Sequence, residues 1–277
     1  MTIKMIALDL DGTTFNSKGE LTDRTKKTLE AAAAQGVYVV VSTGRSYNSL
    51  PPAIKEVQGI AYAITSNGAH INDISTGVSV YDDYILPENI ERIIDIVNKF
   101  GCGLEVFIDG QAYIDEPTYR EIEVNGCEFR NADYILWSRK PVEDISSLMK
   151  ENRHKIENCN FCFDGIEKLE EARPEIMTIP HAQITSSFKN NLEIGGPETS
   201  KKTALIELMS RLGIQREELM CCGDAPNDIQ MMELAGLGVA MGNAWGGTKD
   251  HADYVTDTND NDGVAKAIEK FVLRGRG

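Results

Sequence analysis

The sequence predicts an α/β fold: a Rossmann-like parallel sheet core with a second, α+β module inserted into it. Three observations carry this. Short apolar runs alternate with amphipathic helical stretches at the spacing of βαβ units, near both the beginning and the end of the chain. Several of these runs stop at polar clusters (Asp9 and Asp11, Thr43, Asp224 with Asn227 and Asp228), which is where open α/β sheets hold ligands. Between them, over about 85–188, the alternation gives way to hairpin-like pieces and helices. The expected domains are therefore a core of 1–84 and 189–277 and an inserted module of 85–188.

Met5-Ile-Ala-Leu8 predicts a short buried strand, followed by Asp9-Leu10-Asp11-Gly12-Thr13. Asn16 to Gly19 is turn chemistry and predicts a small flap. Thr22 is placed to cap a helix with Leu29, Ala32 and Ala33 on one face and Gly36 as its stop. Val37-Tyr-Val-Val-Val41 predicts the next buried strand, ending in Ser42-Thr43-Gly44-Arg45, and Ala61 to Thr65 a third, ending in Ser66-Asn67-Gly68. Ile71 to Tyr81 alternates as a hairpin does.

In the inserted stretch, Ile90, Ile93, Ile94 and Val97 mark one face of a helix beginning near Pro87. Strands are expected at 104–108, 111–114, 159–163 and 182–188, and helices at 142–152 and 167–172. The core is expected to resume at Leu192-Glu-Ile194. A helix then opens with Thr199-Ser200-Lys201 and buries Ala204, Leu205, Leu208 and Met209. A lysine in a first helical turn opposes the helix dipole unless it faces an anion. Leu219 to Cys222 is another strand, followed by Gly223-Asp224-Ala-Pro-Asn227-Asp228 and a helix, and Leu237 to Met241 is the last clear one.

Bulk composition narrows the function. The net charge is −15 and the pI about 4.8, a field that repels a phosphate backbone and argues against nucleic acid as partner. No apolar stretch has the length of a membrane span and the N-terminal apolar run is interrupted by Asp9, so a cytoplasmic protein is expected. The six cysteines contain one CxxC, Cys159 and Cys162, inside a strand pattern that would turn the two to opposite faces, and the four histidines form no paired ligand spacing.

Asp9 and Asp11, with no basic residue beside them in sequence, repel each other. Such a pair implies a raised pKa or a bound cation, and a hard cation such as Mg2+ suits oxygen ligands. Taken alone, Asp-x-Asp-Gly is also a common turn, and a Thr, a Lys or an Asp at an element end is commonly a cap or a solvated side chain.

Together and in order, the four clusters resemble the haloacid dehalogenase (HAD) superfamily of phosphotransferases: DxDGT at Asp9–Thr13, a Thr at a strand end (Thr43), a Lys (Lys201), and GDxxND at Gly223–Asp228. Ser42-Thr-Gly-Arg45, Ser66-Asn-Gly-Ala69, Met241-Gly-Asn-Ala244 and Asp262-Gly-Val264 further resemble the Cof-type phosphatases of that superfamily. The long interval from Thr43 to Lys201 matches a type II (IIB) cap, which the resemblance implies closes over the site and selects the substrate. Lys202 and Ala225 depart from the pattern, in which Gly and Asn are frequent.

The resemblance implies a phosphatase of small phosphorylated metabolites, such as sugar phosphates, flavin precursors or pyridoxal phosphate, working through an aspartyl-phosphate. Asp9 would be the nucleophile and Asp11 the general acid and base. Mg2+ would be held by Asp9, Asp11 (through its main-chain carbonyl) and Asp224. Thr43, Lys201 and Asn227, with the amides of Leu10 and Gly44, would hold the phosphoryl oxygens, and Arg45 and Asn67 would reach the substrate. Thr13 and Asp228 would support the site, Asp228 by orienting Lys201 or metal-bound water. A sugar-phosphate mutase and a phospho-accepting regulatory module remain as alternatives, and the oligomeric state, monomer or dimer, is open.

Overall fold

The computed structural model describes residues 2–127 and 131–273. In chain order the strands are β1 (Met5–Leu8), β2 (Tyr38–Ser42), β3 (Ile60–Thr65), β4 (His70–Asp73), β5 (Ser79–Asp82), β6 (Gly103–Ile108), β7 (Gln111–Asp115), β8 (Arg139–Val142), β9 (Ile156–Cys162), β10 (Gln183–Thr185), β11 (Asn191–Gly195), β12 (Leu219–Gly223), β13 (Leu237–Ala240) and β14 (Tyr254–Val255). They form an eight-stranded sheet of order β14-β13-β12-β1-β2-β3-β4-β5 and a six-stranded sheet of order β10-β11-β9-β6-β7-β8. Two compact units follow: residues up to Gly44, Leu50–Tyr81 and from Lys201 on; and Arg45–Ser49 with Asp82–Ser200.

In the first unit, β1 pairs in parallel with β2 on one side and β12 on the other, so that Leu8 lies beside both Val41 and Cys222. The chain runs outward from β1 in one direction through β2 and β3 and in the other through β12 and β13, which makes the end of β1 a topological switch point. Strands buried on both faces need apolar, β-branched residues throughout, and Val39, Val40 and Val41 are all buried. Beneath the sheet, Met5, Ala7, Val40, Ile64 and Cys221 pack with Leu205, Leu208, Met231 and Met232 from the helices Lys201–Leu212 and Ile229–Leu234. The expected cap of the helix Asp23–Ala34 is present, with Thr22 accepting from the amide of Thr25 at 3.1 Å.

In the second unit, the helix Ile90–Phe100 buries Ile90, Ile93, Ile94 and Ile96 against one face of the six-stranded sheet, with Leu104, Val106, Cys159, Phe161, Leu192 and Ile194. Cys159 belongs to that core and Cys162 lies three strand positions on, on the other face, so the CxxC forms no pair.

One expectation needs correction. The strand at Leu192–Ile194 does not resume the core: β11 pairs antiparallel with β9 and β10, and the boundary expected at 188/189 falls at 200/201. An apolar strand reads alike in either sheet, and only its partners decide. The helices Glu116–Asn125 and Ala132–Ser138 leave no amphipathic signal in the sequence, because they expose Val124 and Trp137 and bury little. Among the described residues no helix is long and apolar enough to cross a membrane.

Candidate active site

Because β1, β2 and β12 run in parallel and in register, their carboxyl ends lie side by side. Asp9, Thr43 and Asp224 each come directly after one of these strands. The amide of Asp9 donates to the carbonyl of Cys222 at 3.1 Å and that of Thr43 to Ile64 at 2.9 Å, carrying the ladder one step past the strands.

After Asp9 the chain makes a wide turn over Leu10–Thr14. Thr14 Oγ1 donates to the Asp9 carbonyl at 2.6 Å and the Phe15 amide to the Leu10 carbonyl at 2.9 Å. Gly12 is required here twice over. Its φ is +77°, and a Cβ at that position would lie 2.5 Å from Asp224 Oδ2. From the other half of the chain, Asn243 Nδ2 donates to the Gly12 carbonyl at 2.8 Å, a contact that no motif spacing announced.

Lys201 is the hub. It opens its helix fully buried, with Nζ 2.6 Å from Asp9 Oδ1 and 2.6 Å from Asp228 Oδ1. Its neighbour Lys202 is exposed, which settles which of the two adjacent lysines enters the site. Asp228 Oδ2 accepts from the amides of Asp224 (2.9 Å) and Ala225 (3.1 Å), so both of its oxygens are committed. That fit demands Gly223, where a Cβ would sit 2.3 Å from the Asp228 Cβ. Asp224 Oδ1 accepts from Thr13 Oγ1 at 2.8 Å.

The electrostatics follow from crowding. Asp9 is surrounded by the carboxylates of Asp11, Asp224 and Asp228 and by one ammonium, Lys201. Burial pushes the Asp9 carboxyl well above the usual range; Lys201 pulls it down, and the other carboxylates push it up again. Burial alone would lower Lys201, yet Asp228 and Asp9 outweigh it and hold the ammonium firmly protonated. The two directions are compatible because one positive charge is divided between two carboxylates. Burial, then Asp228, raises Asp224 to about 7 against the Thr13 hydrogen bond and Lys201.

Such a surplus of buried negative charge invites a cation. Among the described residues Asp9, Asp224 and Asp228 bring carboxylate oxygens within 4.8 Å of one another. An all-oxygen, buried, acidic donor set fits a hard divalent ion such as Mg2+. The exposed carboxylate of Asp11 is outside this group.

The remaining expected residues are placed as follows. Thr43 is buried, its carbonyl accepting from the Asn67 amide at 3.1 Å, and Gly44 is half-buried beside it. Asn67 follows Ser66 in left-handed backbone (φ +58° and +51°), a conformation Asn tolerates better than most residues, and Asn227 Nδ2 donates to its Oδ1 at 3.1 Å. Leu10 is fully buried. Arg45 clusters with the second unit: its guanidinium stacks 3.7 Å from the centre of the Tyr134 ring and donates to the Ser49 carbonyl at 3.4 Å.

Comparison with known proteins agrees with this geometry. The family of haloacid dehalogenase-like hydrolases matches residues 6–268. The 5-amino-6-(5-phospho-D-ribitylamino)uracil phosphatase YcsE of Bacillus subtilis (strain 168) is 32% identical over 98% of this chain and 96% of its own. The phosphatase YwpJ of the same organism is 31% identical over 98% of this chain and all of its own. A solved haloacid dehalogenase-like hydrolase from B. subtilis superposes with a TM-score of 0.84 at 29% identity, over 98% of this chain and 100% of that one. A HAD subclass IIB sugar phosphatase superposes at 0.81 and 26%, over 97% and 98%. Ordered motifs, sheet topology and these likenesses together make the chain a member of the haloacid dehalogenase-like hydrolase family, a phosphatase of its Cof-type branch with a IIB cap.

Proposed function

We propose that this protein is a Mg2+-dependent phosphatase that hydrolyses small phosphate monoesters through a phosphorylated Asp9. The observation that carries the proposal is the buried bridge from Lys201 to Asp9 and Asp228 at the end of β1. It holds one carboxylate oxygen of Asp9 in a fixed direction and puts a permanent positive charge where a phosphoryl group would arrive.

An Asp9 carboxylate oxygen attacks phosphorus, and the bond from phosphorus to the ester oxygen breaks as the new bond forms. Asp11, exposed to solvent on the next turn of chain, gives its proton to the departing oxygen. It then takes a proton from the water that attacks the aspartyl-phosphate, releasing inorganic phosphate and restoring Asp9. Lys201, Thr43 and Asn227, with the amides of Leu10 and Gly44, hold the phosphoryl oxygens, and Arg45 and Asn67 contact the substrate. Asp228 is a positioning residue, since its oxygens already serve Lys201 and two amides. Mg2+, held by Asp9, Asp224 and the main-chain carbonyl of Asp11, would supply the charge that lets an anionic ester approach a carboxylate.

The inserted unit is assigned the choice of substrate. Because the relative YcsE is named for a ribityl phosphate substrate and a structural neighbour for sugar phosphates, phosphorylated polyols and sugars head the panel to be tried. The protein is placed in the cytoplasm, where such metabolites are found.

The test is phosphate release from that panel, with Mg2+ or with EDTA, for wild type and Asp9→Asn. Turnover that needs Mg2+ and disappears in Asp9→Asn is expected. Absence of turnover on every ester by folded, Mg2+-supplied protein would overturn the proposal, and an isomerised ester without free phosphate would make the enzyme a mutase.

A further inference from the structure

Tyr134 belongs to no motif and lies far in sequence from every site residue. It sits in the helix Ala132–Ser138, where its amide donates to Asn131 Oδ1 (2.9 Å) and its carbonyl accepts from Ser138 Oγ (2.6 Å). The ring packs against Ile114, Ile122 and Ile135. Backbone and ring are thus held from several sides.

Two guanidiniums lie over this one ring, that of Arg45 at 3.7 Å and that of Arg139 at 4.9 Å from its centre. Their other partners differ. Arg139 is tied to the six-stranded sheet: it pairs with Glu105 at 3.0 Å and donates to Ser138 Oγ at 2.8 Å. The same Glu105 oxygen also accepts from Asn160 Nδ2 at 3.1 Å. Arg45 comes from the short segment Arg45–Ser49, one residue past Gly44 and two past Thr43 in the chain. At 3.7 Å the ring is in van der Waals contact with the guanidinium plane, and with Arg45 only 9% exposed the contact is largely desolvated, the condition under which a cation over an aromatic face is worth most. The phenolic oxygen of Tyr134 is buried with no hydrogen-bond partner among the described residues, so the position uses the ring and not the hydroxyl.

We propose that Tyr134 is a positioning residue for the reaction, its ring holding the Arg45 guanidinium in the orientation that meets the anionic substrate. This rests on the assignment of Arg45 to substrate binding made above. A tyrosine that merely filled space would lower stability when removed and leave affinity for phosphate unchanged.

Steady-state kinetics on the best ester of the panel, with inhibition by inorganic phosphate, separate the possibilities. The variants are Tyr134→Phe, Tyr134→Leu, Tyr134→Met, Arg45→Ala and the double variant Arg45→Ala/Tyr134→Leu, each checked for a cooperative thermal melt. Tyr134→Phe keeps the ring and is expected within about twofold of wild type in KM and in the phosphate inhibition constant. Tyr134→Leu raises both about 3- to 30-fold with kcat changed less, the range that a desolvated guanidinium–ring contact spans. Tyr134→Met keeps apolar bulk without an aromatic face and behaves like Leu, which covers the case in which the Leu variant fails to fold. In the Arg45→Ala background, Tyr134→Leu adds nothing further, because the ring acts only through the guanidinium. Unchanged KM and phosphate inhibition in folded Tyr134→Leu or Tyr134→Met, alongside a raised KM in Arg45→Ala, would sink the inference and spare the Arg45 assignment. An unchanged KM in Arg45→Ala would sink the assignment itself.

Discussion

Replacing Lys201 by Met removes the ammonium that Asp9 and Asp228 share and leaves a side chain of similar length in the same buried place. Both ion pairs are 2.6 Å long and all three side chains are nearly inaccessible. Removing one partner of a buried pair strands the other charge, at a cost of about 3–5 kcal/mol. With a urea slope of about 1–3 kcal/mol/M, the unfolding midpoint of the first unit should fall by about 1–5 M. The protein has two tryptophans, and Trp245 lies in the first unit while Trp137 lies in the second, so fluorescence of a Trp137→Phe background follows the right unit. The measurement is made in EDTA, so that no cation substitutes for the lysine. The sign with pH is also fixed. Without Lys201 the Asp9 carboxyl titrates still higher and is relieved by taking up a proton, so the penalty should be largest at about pH 8 and shrink towards about pH 5. A Met variant within about 1 kcal/mol of wild type at the higher pH would refute the account of Lys201 as the charge that makes this cluster tolerable.

Gly12→Ala places a Cβ 2.5 Å from Asp224 Oδ2 at a φ of +77°; the strained backbone and the displaced carboxylate together should cost about 2–4 kcal/mol and about a hundredfold in kcat. An Ala variant of wild-type stability would mean that the turn relaxes freely. Asp11→Asn should lose about 10²- to 10⁴-fold in kcat on alkyl phosphates and much less on an aryl ester whose leaving group needs no proton, a contrast read by comparing the two substrates. In metal-free protein, Asp224 is raised to about 7 from an ordinary value of 3.8, so its stabilising share is full below the ordinary value and lost as pH rises through 7. Chemical denaturation in EDTA should therefore show a loss of up to about 4 kcal/mol between about pH 4 and pH 8, and Mg2+ should flatten that slope. A pH-independent midpoint would contradict the burial of this carboxyl.

Much of this protein was determined by sequence alone, because the relevant signals are local. Val39 to Val41 read as a strand buried on both faces, Thr22 caps its helix through its own side chain, and Gly12 stands where the chain turns sharply. The order of polar clusters at strand ends was likewise visible. Tertiary structure decided everything that depends on a partner. β11 has the apolar pattern of a core strand yet pairs with β9 and β10, since strand propensity names no neighbour. Lys201 was legible as a lysine in an unfavourable helical turn, but its division between Asp9 and Asp228, and the pKa consequences, arise only when three distant segments meet in a low-dielectric interior. The Arg45–Tyr134 contact left no trace in the sequence at all, because a stacked ring and guanidinium need only proximity, and proximity is what folding supplies.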